Sequence, residues 1–134
     1  MRRFVVTAGL VALMAGALAA CGGSSGSSGG GSTLSLGGSS FTGATSITIT
    51  AGQAVTFDDS SGGTHDLVTG TNGTFAAETG APDAFATKDG LDLSAGDKKT
   101  VTFNTAGTYH ITCTIHPSMQ ATITVNAATS GYGY

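Results

Sequence analysis

At 134 residues the chain holds one domain's worth of material. Five Lys and Arg stand against eight Asp and Glu, a formal charge of −3, and this excludes the basic patch that nucleic acid or an anionic lipid surface would need. Two cysteines are too few for a disulfide framework.

The first twenty residues read as an export signal and not as part of the fold. Arg2 and Arg3 form a positive start and suit either the general or the twin-arginine export route; 4–17 is an apolar run, and Leu18-Ala19-Ala20 are small or apolar residues ahead of Cys21. The run is shorter than the ~20 apolar residues a transmembrane helix requires. Leu18-Ala-Ala-Cys21 resembles the lipobox of bacterial lipoproteins. That resemblance implies cleavage before Cys21 and lipidation of its thiol, with ordinary secretion as the plain alternative. Two or more acyl chains anchor stably, because each buried CH₂ contributes ~0.8 kcal/mol. The expected location is the outer face of a bacterial membrane, in the cell envelope or periplasm.

Residues 22–32 contain only Gly and Ser, a flexible spacer whose eleven residues span about 18 Å r.m.s.. Once residues 1–20 are removed, three lysines face eight acidic residues, a formal charge of −5, which favours a basic partner at long range. The expected organisation is signal peptide 1–20, lipidated Cys21 with linker 21–33, folded domain 34–126 and flexible tail 127–134.

From Leu34 onward the pattern is β. Ile47 and Ile49 alternate with threonines, Gly52-Gln53 break the run, and Val55 and Phe57 resume it; Val101 and Phe103, then Tyr109, Ile111 and Cys113, then Ile123 and Val125 repeat it. Period-two alternation marks half-buried strands, and polar turns at 58–63, 72–73, 96–97 and 104–107 separate them. The fold class is therefore all-β, an antiparallel Greek-key sandwich of two sheets with six to eight strands. The expected core is Leu34, Leu36, Phe41, Ile47, Ile49, Val55, Phe57, Leu67, Phe75, Val101, Phe103, Tyr109, Ile111, Ile123 and Val125. Residues 81–92 lack periodicity and accommodate either a short helical turn or a long loop.

Chemistry concentrates in Cys113-Thr-Ile-His116-Pro-Ser-Met119, where a strand ends and a six-residue loop precedes the next. Thiolate, imidazole and thioether follow one another as Cys-x₂-His-x₂-Met. His65 opens an earlier strand, and sandwich topology brings strand ends together at one pole. Two imidazoles, one thiolate and a weak thioether form the trigonal set favoured by blue-copper electron-transfer sites. Soft sulfur suits Cu(I) and imidazole also suits Cu(II), so such a site moves little when the oxidation state changes.

Together with the entry Ile47-Thr-Ile-Thr-Ala-Gly52-Gln-Ala-Val-Thr-Phe57, His65 and Gly107-Thr-Tyr109-His-Ile-Thr-Cys113, this loop resembles the cupredoxins, in particular the plastocyanin and amicyanin branch. The resemblance covers about 41–125, and the two residues between His116 and Met119 look closer to amicyanin. It implies one type 1 copper held by His65, Cys113, His116 and Met119, with the His116 ring edge as electron port. Redox partners are expected to dock near His116 and Pro117. Two departures stand out. Asp66 replaces the usual Asn after the first histidine; a carboxylate there can still accept from a loop hydroxyl or N–H, and its charge is expected to lower the potential. Thr114-Ile115 occupies a place where relatives often have proline.

Singly, each ligand has a plainer reading: Cys113 and Met119 as core, His65 and His116 as strand-start and loop residues. They gain weight as a set. His110, out of phase with Tyr109 and Cys113, faces solvent, and Tyr109 faces the core with its hydroxyl on backbone. A copper enzyme needs a second, open metal site, and only His110 is left to supply it; no enzymatic role is expected. The leading function is a monomeric one-electron carrier outside the cytoplasm. Copper storage or delivery with the same ligands is the alternative, and zinc also suits thiolate and imidazole.

Overall fold

The structure, a computed structural model, describes residues 32–131. The signal segment, Cys21 and nearly all of the Gly/Ser linker lie outside the described residues.

Among the described residues, ten strands form two sheets. They are β1 (Ser32–Leu36), β2 (Phe41–Thr42), β3 (Ser46–Thr50), β4 (Gln53–Asp58), β5 (Thr64–Thr71), β6 (Thr74–Phe75), β7 (Leu91–Ser94), β8 (Lys98–Phe103), β9 (Gly107–Cys113) and β10 (Gln120–Asn126). One sheet runs β2-β1-β4-β8; the other runs β3-β10-β9-β5-β6, with β7 also paired to β5. The count exceeds the expected six to eight because β2 and β6 are two-residue pieces and β7 begins inside the unreadable 81–92 stretch.

Two pairings correct the antiparallel expectation: β1 runs parallel to β4, and β3 parallel to β10. Neither pair is joined by a hairpin. Between β1 and β4 the chain visits the opposite sheet as β3, and a connection that crosses between sheets leaves direction free where a tight turn would force antiparallel pairing. Strand β1 starts at Ser32, inside the span read as linker, because Ser32 pairs with Val55. After Asn126 the described residues lie in no strand and are exposed.

Alternation maps onto burial as the side-chain period of two requires. In β10 the pattern Gln-Ala-Thr-Ile-Thr-Val-Asn buries Ala121, Ile123 and Val125. All of the expected core residues are buried except Phe75, which sits half-covered on the two-residue edge strand β6. Phe85 is the converse case. It lies in a 3₁₀ turn, Asp83–Phe85, that dips between the sheets, and its ring is fully buried. It packs edge-on to Phe57 at 5.3 Å and against Phe103 at 6.1 Å, and Phe103 in turn meets Tyr109 at 5.5 Å. Thr69 Oγ1 donates to the Phe85 carbonyl at 3.1 Å and satisfies that backbone group inside the core.

At the start of β9, Tyr109 Oη shares its proton between the carbonyls of Thr105 (2.8 Å) and Gly80 (3.1 Å). Burial pushes this phenol above its ordinary range, and the nearby Glu78 charge adds to the effect.

Candidate metal centre

Strand register brings the histidine from β5 to the cysteine from β9. Leu67 pairs with Cys113 across the two strands, so His65 lies two residues beyond it at the pole where β9 ends. His65 has the inward parity of Leu67, and Cys113 that of Tyr109 and Ile111. The loop after Cys113 closes on itself: Met119 N–H donates to the His116 carbonyl (2.9 Å), and Cys113 N–H donates to the Met119 carbonyl (3.3 Å). His116 and Met119 are thereby folded back over the strand end.

The donor atoms converge. Cys113 Sγ lies 3.9 Å from His65 Nδ1 and 3.8 Å from His116 Nδ1. The two imidazoles are 5.0 Å apart at a 51° tilt, and all three donor atoms fall within 4.8 Å of one another. Separations of 3.8 and 3.9 Å would let one ion reach the sulfur together with either nitrogen, and two imidazoles with one thiolate are the donor set of a His₂Cys site. His65 and Cys113 have no exposed surface and Met119 only 1%, whereas His116 is half-buried between the exposed Ile115 and Pro117. The site is thus dry on three sides and open along one imidazole.

Around these donors, Asp66 ties the two ligand segments together. Thr114 Oγ1 donates to Asp66 Oδ2 at 2.6 Å, and Thr114 N–H donates to the Asp66 carbonyl at 2.9 Å. The Asp66 carboxylate therefore accepts from a loop hydroxyl, as expected.

Asp59 belongs to the polar turn 58–63. Its side chain is fully buried, and neither carboxylate oxygen has a hydrogen-bond partner. Oδ1 faces His65 Nε2, also unpartnered, at 3.8 Å. With Nδ1 facing the sulfur, the proton of the His65 ring belongs on Nε2, aimed at Asp59. Histidine ligands commonly direct their second nitrogen at a carboxylate in this way. Nothing in the local sequence flags Asp59, because its approach to His65 depends on how the loop 59–63 folds back. His110 is exposed and away from the centre, where Glu78 accepts from its backbone N–H (2.9 Å) and lies 2.8 Å from Nδ1.

Comparison with known proteins agrees with this geometry. The model of the copper-binding proteins of the plastocyanin/azurin family matches residues 37–126. The chain belongs to that family. Its match spans all four expected ligands, and the cofactor is a single type 1 copper. Proteins of this kind carry electrons and are not enzymes. Among solved structures, amicyanin from Paracoccus versutus (Thiobacillus versutus) is similar at 23% identity and a TM-score of 0.55, over 72% of this chain and 82% of amicyanin. A reduced amicyanin variant with one substitution is similar at 20% identity and a TM-score of 0.55, over 72% and 83% of the two chains. Likeness at this identity supports the cupredoxin fold. No curated protein matches the chain.

Proposed function

We propose that the protein shuttles single electrons between redox proteins outside the cytoplasm, with copper bound by His65, Cys113 and His116 and by Met119 as the weak axial donor. The observation that carries this reading is the approach of both Nδ1 atoms to one buried thiol, 3.8 and 3.9 Å away, from two distant segments. Met119 is buried in the same core cluster as Cys113, and its backbone closes the ligand loop. When bound, the copper supplies the one-electron couple. The chain's own residues hold its donors in a rigid frame, exclude water from the sulfur and leave the His116 edge open.

Ile115, 50% exposed, is the exposed large hydrophobic residue among those described, and it flanks His116 with Pro117. A small apolar rim around a conducting edge suits brief docking by a partner redox protein, and the surplus of acidic residues favours a basic one. The burial of His65, Cys113 and Met119 speaks for retained copper and against an exchangeable storage or delivery site. Cys21 is the proposed lipid anchor, with the Gly/Ser spacer setting reach from the membrane.

The test is titration of the purified protein with Cu(II). A strong band near ~600 nm reports thiolate-to-copper charge transfer at a His₂Cys site, and Cys113→Ser removes it. A serine variant that stays blue contradicts the assignment. For the anchor, Cys21→Ser should move the protein from the membrane to the soluble fraction.

A further inference from the structure

We propose that Thr112 and the β5–β6 turn, Asn72-Gly73, form a clamp that positions Met119 and its loop at the metal centre. This inference rests on the reading of His65, Cys113, His116 and Met119 as a copper site.

Thr112 precedes Cys113 and points to the opposite face of β9. On that face Thr108 and His110 are exposed, yet Thr112 is fully buried. Its hydroxyl is used in both directions. It accepts from Gly73 N–H at 2.9 Å and donates to the Met119 carbonyl at 3.0 Å. Beside this bridge, Gln120 Nε2 donates to Asn72 Oδ1 at 2.9 Å. Gly73 lies directly against Pro117: a Cβ built on it would come within 2.9 Å of both Pro117 Cβ and Cγ, and its φ is +74°. Asn72 also has positive φ, 52°, so the turn presents its backbone to the ligand loop where a side chain would not fit.

The loop is consequently fastened at both ends to β5, the strand that carries His65. Asp66 holds it at Thr114, and the hairpin following β5 holds it at Thr112, Pro117 and Gln120. Thr114-Ile115 provides no proline to stiffen the loop, and these side-chain contacts supply restraint in its place. The Met119 carbonyl receives two donors, Thr112 Oγ1 and Cys113 N–H. With its backbone held in this way, the thioether's distance from the thiolate is set by the protein, which limits rearrangement on electron transfer.

The experiment compares the copper-loaded full chain with Thr112→Val, Thr112→Ser and Asn72→Gly. Absorption, the EPR copper hyperfine splitting, the rate of Cu(I) release to a chelator and the melting temperature of the metal-free protein are measured for each. Valine keeps the shape but leaves Gly73 N–H and a Met119 lone pair without their partner. It should change the band pattern and hyperfine splitting and speed Cu(I) release about five- to tenfold. Serine should match the wild type. Asn72→Gly, which the positive φ tolerates, should move the same readouts in the same direction by a smaller factor, and it decides the matter if the valine variant does not fold. Wild-type spectra and release rates in both Thr112→Val and Asn72→Gly overturn the clamp. So does a change confined to the melting temperature, which would mark a merely structural role. A wild-type protein with no band near ~600 nm overturns the copper reading itself, a result distinct from either.

Discussion

Replacing Asp59 by asparagine keeps the side chain's shape and removes one negative charge from the dry side of the metal centre. Asp59 Oδ1 is 3.8 Å from His65 Nε2. Adding the width of the imidazole and a nitrogen–metal bond of ~2.0–2.1 Å places the carboxylate roughly 7–8 Å from the ion. At an effective dielectric constant of ~20, one unit of charge at that separation is worth about 2 kcal/mol. A tenfold change in a one-electron equilibrium is ~59 mV, so the shift is about 100 mV. Its sign follows from charge: a nearby anion favours Cu(II) over Cu(I), and Asp59→Asn therefore raises the midpoint potential. Asparagine has nearly the shape of aspartate, so the packing against His65 is kept and the electrostatic effect is isolated. Voltammetry on both proteins reads the difference directly. Because Asp59 is fully buried, the difference should persist as salt is raised. A shift below about 20 mV, or any downward shift, would refute the reasoning that this carboxylate acts on the ion through His65.

Asp66→Asn should also raise the potential, by tens of millivolts and by less than Asp59→Asn, because Asp66 is only half-buried and already receives the Thr114 hydroxyl; no change or a decrease counts against it. Phe85→Ala should cost about 3–5 kcal/mol in urea unfolding, as for other fully buried aromatic rings. Tyr109 makes stability fall in alkali: its phenol is held above the ordinary range in the folded state, so its contribution is intact below about pH 10 and is lost as pH rises through the folded value. Tyr109→Phe should flatten that part of the melting-temperature profile while costing about 1 kcal/mol at neutral pH through the lost hydrogen bond.

Legibility in the sequence followed the range of the interactions involved. The β class, the inward parity of Tyr109, Ile111 and Cys113 and the outward parity of His110 all came from alternation, which depends on neighbours two residues apart. The exceptions come from long-range covering. Val68 and Thr112 sit out of phase with the core yet are buried, the first under the segment around Gly90 and the second under the Asn72-Gly73 turn. Phe85 is not legible in the sequence because it enters the core from a stretch with no period at all. Phe75 is a core residue by type alone, but its strand is two residues long and lies on an edge.

By itself the sequence determined the longer alternating strands, though not the short β2, β6 and β7, and the Cys113-x₂-His116-x₂-Met119 loop, because side-chain alternation and a short loop's donor spacing are local properties of the chain. Tertiary structure alone decided that His65 meets Cys113, that Asp59 stands behind His65, and that Asp66 and the Gly73 turn hold the loop from both sides. Apart from Asp59 and His65, those contacts join residues 39 to 48 positions apart. Their formation depends on the register of β5 against β9 and on the packing of loops at one pole, which no run of neighbouring residues encodes.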